Sequence, residues 1–151
     1  MSQQVGTRTI CVLAADFPRT ASTVLTNVTG MSFPAVANGK YLVRMSLPFS
    51  LAGVAPGFKF QVTVPAAGTS FMQRTFVVAD DATITLESVI VASASIGNTL
   101  ANAGNHTIEV FMYIENGATA GTVQLQWAQN VSDAAATTIL KGAIMDIVQV
   151  S

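Results

Sequence analysis

ATAGTVQLQWAQN, Ala118 to Asn130, is the stretch that decides the architecture. Val123, Leu125 and Trp127 fall on one side of an extended backbone, and Thr122, Gln124 and Gln126 fall on the other. This is the period-two pattern of a half-buried strand. Gly121 opens it and polar residues close it. The only tryptophan of the chain stands on the inward side.

The same pattern recurs along the rest of the chain. Tyr41, Val43, Met45 and Leu47 share a face against Lys40, Arg44 and Ser46, in a strand expected to end near Pro48. Phe58, Phe60, Val62 and Val64 oppose Lys59, Gln61 and Thr63, with Pro65 as the stop. His106, Ile108, Val110, Met112 and Ile114 oppose Thr107, Glu109, Phe111 and Tyr113. Further strands are expected at Thr7–Leu13, Val24–Thr29 (closed by Gly30), Phe71–Val78, Thr83–Ala92 and Ala143–Val150. Asn38-Gly39 and Asn116-Gly117 are tight-turn signals. Asp80-Asp81 also reads as a turn, because two adjacent carboxylates lack the spaced oxygen donors of a calcium loop. Ala14–Ser22, Ser50–Gly57, Ser93–Asn105 and Asn130–Thr138 read as loops. The result is eight or nine short strands and no amphipathic helix. An all-β, antiparallel two-sheet sandwich, jelly-roll-like, is the expected fold. It spans 7–151 as one domain, after a flexible N-terminal arm at 1–6.

Composition narrows the function. The 151 residues are long enough to bury a core unaided. Only 10% are charged, against roughly 25% in an ordinary soluble domain. Two readings fit that scarcity: a quiet surface covered by Thr, Ser, Asn, Gln and Ala, or a surface largely consumed by subunit contacts, which is favoured because obligate interfaces are more apolar than ordinary surfaces. The 7 basic side chains are scattered and the net charge is -1, so no nucleic-acid partner is expected. There is no apolar run of the roughly 18 residues that a membrane helix needs, and MSQQVGTRTICVL lacks the layout of a secretory signal. Cys11 is alone and reads as a small core hydrophobe.

Catalytic patterns are missing. His106 is the single histidine; it cannot build a multi-histidine metal site, and no G-x-S-x-G elbow accompanies it. Glu87, Glu109 and Glu115 are the formal candidates for paired-carboxylate chemistry, but their settings read as solvated strand faces. There is no Walker motif, dinucleotide fingerprint or CxxC. The reading is therefore no enzyme, no cofactor and no metal. Two kinds of binding residue remain. Phe111 and Tyr113 give their strand a second apolar face, for a sheet-to-sheet layer or a subunit contact; Met145 and Ile147 belong to a strand that is central or interfacial, and the four are the candidates for an oligomer interface. Trp127 and Tyr113 are the candidates for stacking on a sugar. Thr122, Gln124 and Gln126 either line an interface or face water.

The segment ATAGTVQLQWAQNVSDAAATTILKGAIMDIVQV, residues 118–150, resembles the closing module of structural proteins of tailed bacteriophages, a group of tail, tail-fibre and minor virion components. These proteins commonly end in a strand, an aromatic-AQN turn, a Ser/Asp/Ala/Thr loop and a final strand. STVLTNVTGMSFPAVANGKYLVRM, residues 22–45, is similar to their opening, in which a VTG-x-x-F element precedes an N-G-x-Y strand. The match covers about half of the chain. The last strand, IMDIVQV, lacks the basic residues that many relatives carry there, which argues against a polyanion-facing role. The resemblance implies a homotrimeric or otherwise multimeric β-sandwich in the virion, with no catalytic residues to transfer. Its partners would be copies of itself and other capsid or tail proteins. Head decoration and a tail module that recognises host-surface carbohydrate both fit it.

Overall fold

A computed structural model describes residues 6–66, 68–78, 85–89, 95–98, 100 and 102–151. The strands are β1 (Arg8–Val12), β2 (Phe17–Arg19), β3 (Thr26–Ala35), β4 (Lys40–Leu51), β5 (Phe58–Thr63), β6 (Thr69–Val78), β7 (Thr85–Val89), β8 (Ile96–Asn98), β9 (Gly104–Glu115), β10 (Gly121–Ala128), β11 (Thr137–Ile139) and β12 (Ile144–Gln149). Nine of them have five residues or more; β2, β8 and β11 have three each. All pairings among them are antiparallel. The larger sheet runs β1-β12-β4-β9-β6-β7, with β11 beside β4 and β2 beside β11. The smaller runs β3-β10-β5-β8. The two form a jelly-roll-like sandwich.

Alternation decides which side chains meet between the sheets. Val43, Met45, Leu47 and Phe49 on β4 and Ile108, Val110, Met112 and Ile114 on β9 point inward and are buried. Facing them are Phe58, Phe60 and Val62 on β5 and Val123, Leu125 and Trp127 on β10. Aromatic rings lock the centre: the Trp127 indole lies 5.5 Å from Phe58, nearly parallel to it, and 5.6 Å from Phe49, edge-on. Such pairs add about 0.5–1.5 kcal/mol each to the area they bury.

Strand lengths differ from the sequence reading where prolines and glycines interrupt the pattern. β4 continues through Pro48 to Leu51. Its partner changes there from β12, registered to Ser46, to β11, which pairs with Phe49 to Leu51. The Pro48 carbonyl accepts from Leu140 N at this junction. The donor that proline lacks therefore falls where the ladder is already broken. β3 does not close at Gly30 but continues to Ala35. Gly30, with φ 82°, sits at a register shift between Gln124 and Gln126, a bulge that a residue with a Cβ adopts only at a cost. Gln124 Nε2 donates to the carbonyls of Val28, Met31 and Leu125 beside it. Pro34 is tolerated because β3 is an edge strand.

The elements define two ends. At one lie Gly6, Ser151 and the turns at 36–39 and 116–120. Gln149 N donates to Thr7 O, Lys40 N to Ser151 O and Asn38 N to Gly117 O. Gly6 packs so closely on the Gln149 carbonyl that a Cβ would collide with it, so residue 6 is part of the packed body. Residues 1–5 of the expected arm lie outside the described residues, as do Asp80-Asp81. At the other end the connections 20–24, 52–57 and 129–136 come together.

Candidate functional site

β12 is where the sequence reading has to be corrected. Met145 and Ile147, expected at a subunit interface, point into the sandwich and belong to the core of a single chain. They have no surface left to offer another copy. The opposite face of β12, with Ile144, Asp146 and Val148, is the outer one. Asp146 is the cue, since a carboxylate belongs with the solvated residues of its strand.

That outer face continues across the larger sheet in register. Ile10, Asp146, Arg44 and Phe111 form one row across β1, β12, β4 and β9. Val12, Ile144, Ser46 and Glu109 form the next, and Arg8, Val148, Leu42 and Tyr113 the one on the other side. Ile10 is 53% exposed, Val12 54% and Ile144 40%. Phe111 is 36% exposed, and Tyr113 is half-buried. Large apolar side chains in contiguous rows across four strands differ from the scattered hydrophobes of an ordinary surface.

Polar groups between these side chains are mostly paired. Arg8 donates through Nε and Nη2 to both carboxylate oxygens of Asp146, at 2.9 and 2.8 Å. This bidentate pairing holds the Asp146 carboxyl below its ordinary range, chiefly through the hydrogen bonds and also through the charges of Arg8 and Arg44. Lys40 Nζ meets Glu115 at 2.7 Å. Ser46 Oγ donates to Glu109 Oε1 at 2.6 Å. The Arg44 guanidinium lies over the Phe111 ring, 5.7 Å from its centroid. A shallow hollow of about 260 Å³ opens between Arg8, Arg44 and Asp146, walled by Leu42 and Val148.

The glycan-stacking reading loses its main residue. Trp127 is fully buried between the sheets, stacked on Phe58 and edge-on to Phe49, so no sugar can reach it. Gln124 and Gln126 hold their own sheet together: Gln124 on the bulge carbonyls, Gln126 through Asn27 Oδ1 at 2.8 Å. Glu109 and Glu115 sit six residues apart on one strand, about 20 Å along it. A glycosidase pair needs roughly 5–9.5 Å. Glu87 is described only through the backbone of β7. His106 is buried with its ring 5.2 Å from Phe49. Among the described residues, no group of three His, Cys, Asp or Glu is placed to hold a metal, and no helix is long and apolar enough to cross a membrane.

The AQN turn is the second feature of note. Gln129 is completely buried. Its Oε1 accepts the backbone N–H groups of Ser22 and Asp133, and its Nε2 donates to Ala135 O at 2.7 Å. Asn130 and Val131 donate their N–H groups to Pro56 O. One side chain and one carbonyl thus tie three connections into a rigid end, from which Val24, Val54 and Val131 protrude.

No protein-family profile matches the chain, and no curated protein matches it. Among solved structures it is similar to the Eiger TNF of S. frugiperda, at 8% identity and a TM-score of 0.44, covering 98% of this chain and 94% of that one. It is also similar to the infectious bursal disease virus Gt strain structure, at 11% identity and a TM-score of 0.24, covering 99% of this chain and 39% of that one. For the VP2 subviral particle of the same virus the values are 8%, 0.29, 99% and 42%. The chain spans about two fifths of those viral chains. At such identities and TM-scores these likenesses carry no argument about function, which rests on the chain's own residues.

Proposed function

We propose that this chain is a non-enzymatic structural protein of a virus particle. It is built in as a homo-oligomer, most simply a trimer, in the manner of a capsid decoration or head-fibre component of a tailed phage. The observation that carries the reading is the outer face of the larger sheet, where Ile10, Val12, Phe111 and Ile144 stand exposed in adjoining rows. Burial of that face against copies of the same chain is the mechanism of assembly. Phe111 is central to the contact and Tyr113 lies at its margin.

Three further observations support it. Charged residues are only 10% of the chain. The AQN turn and the segments at 22–45 and 118–150 resemble tailed-phage structural proteins. The loops at 52–57 and 129–136 are bound together at the end opposite Gly6 and Ser151, which suits a rigid block that presents one end to a capsid or a host. A tail module that recognises carbohydrate keeps only the half-buried Tyr113 as a stacking residue.

Light scattering of the purified chain, followed by pelleting with empty capsids or with tails, tests this. The expected mass is three times that of the 15.7 kDa chain, with co-pelleting on capsids. A monomer at every concentration that pellets with neither particle contradicts the reading.

A further inference from the structure

The outer-face strands β1, β12, β4 and β9 hold three cations, Arg8, Lys40 and Arg44, and three anions, Glu109, Glu115 and Asp146. Two of each are joined as Arg8–Asp146 and Lys40–Glu115. The remaining two have opposite sign and lie in adjacent rows, yet among the described residues no ion pair joins them. Arg44 rests on the Phe111 ring, and Glu109 takes a hydrogen bond from the Ser46 hydroxyl. We propose that these two residues are the recognition pair between copies: Arg44 of one chain binds Glu109 of the next when the outer faces associate. The inference rests on the self-association reading above and names the contact that sets its register.

The chemistry of each partner suits it to an interface. A guanidinium is weakly hydrated and planar, and with one side on an aromatic ring it loses little when the other is covered. Glu109 has one oxygen held by Ser46 at 2.6 Å, which leaves the second to accept from an arginine in a fixed direction. The pair is self-complementary, because every copy presents both members, so closed symmetry satisfies all of them. Surrounding Ile10, Phe111 and Ile144 exclude water from the contact, where a charge pair gives specificity and register more than bulk affinity. Size is also adequate. The four strands β1, β12, β4 and β9, about 4.8 Å apart and with about nine residues of about 3.4 Å each, give a face on the order of 600 Å², the lower end of the share per partner of a standard interface.

The test is a charge swap read by sedimentation velocity on the whole chain, with circular dichroism melts to show that each variant folds. Arg44→Glu and Glu109→Arg should each weaken self-association by about tenfold or more, and the double swap should restore it. Arg44→Gln and Glu109→Gln should weaken it less, since they remove attraction without adding repulsion. Added salt should loosen the native chain and leave the Gln variants nearly unaffected. Folded single-reversal variants that associate as the native chain does overturn the pair while leaving self-association standing. Two disrupted single variants that the double swap fails to rescue also overturn it. A native chain that never associates removes the parent reading and the pair together.

Discussion

Asp146 on β12 lies in the fork of Arg8 on β1, with both carboxylate oxygens bound at 2.9 and 2.8 Å across 138 residues of sequence. The pair does two things. It joins the N-terminal strand to the C-terminal one on their solvated side, and it marks that side of β12 as the outer face. The carboxyl ionises below the ordinary aspartate value of about 3.9 because the arginine binds its charged form. The pair's contribution to stability is therefore complete above that ordinary value. It is lost as pH falls through the lower folded value. An NMR titration of the Asp146 carboxyl should show its midpoint below that of an aspartate peptide, and Arg8→Gln should return it towards the peptide value.

Trp127 separates a packing role from a binding role. Trp127→Ala opens a cavity among Phe49, Phe58 and Phe60 and should cost about 3–5 kcal/mol in urea unfolding. Trp127→Phe keeps an aromatic ring and removes a buried indole N–H that meets no acceptor among the described residues. It should cost less than about 1.5 kcal/mol. Equal losses for the two would contradict the packing described for this ring.

Gln129 is the latch of the loop end. Gln129→Ala leaves two N–H groups and one carbonyl without their partner in a buried site. The expected loss is about 2–4 kcal/mol. Faster amide exchange should follow at Ser22 and Asp133, with β4 and β9 protected as before. Exchange that rises evenly over the whole chain would show that the latch is not local.

Gly30 tests the bulge. Its φ is 82°, and a Cβ added there would meet nothing within 4 Å, so the strain of Gly30→Ala is backbone strain alone. The substitution should cost about 1 kcal/mol by thermal unfolding. A neutral or stabilising effect would mean that the bulge is not fixed in this form.

The elements that alternation makes legible are those with one dry and one wet face. Val43, Met45 and Leu47, Phe58, Phe60 and Val62, Ile108 to Ile114, and Val123 to Trp127 all point inward as their period requires. β12 is ambiguous in sequence because Ile144 and Val148 are as apolar as Met145 and Ile147; hydrophobicity cannot orient a strand that is greasy on both faces. Asp146 resolves it. β2, β8 and β11, at three residues each, are too short to show a period. β3 reads as closing at Gly30 because a glycine looks like a terminator, whereas here it forms a bulge and the strand runs on to Ala35. Phe111 and Tyr113 are visible in sequence as an unneeded apolar face. Ile10 and Val12 join it only through the pairing of β1 with β12, a contact between the two ends of the chain that local pattern does not encode.

The proposed assembly buries the outer face of the larger sheet between copies of this chain. Sedimentation velocity over a concentration series, on the native chain beside Ile144→Asp, tests it most directly. Ile144 is 40% exposed and outside the core, so the substitution spares the fold and places an unpaired carboxylate in the contact. The prediction is an assembled native chain and a folded, monomeric variant; a native monomer, or a variant that assembles as well as the native chain, would contradict it.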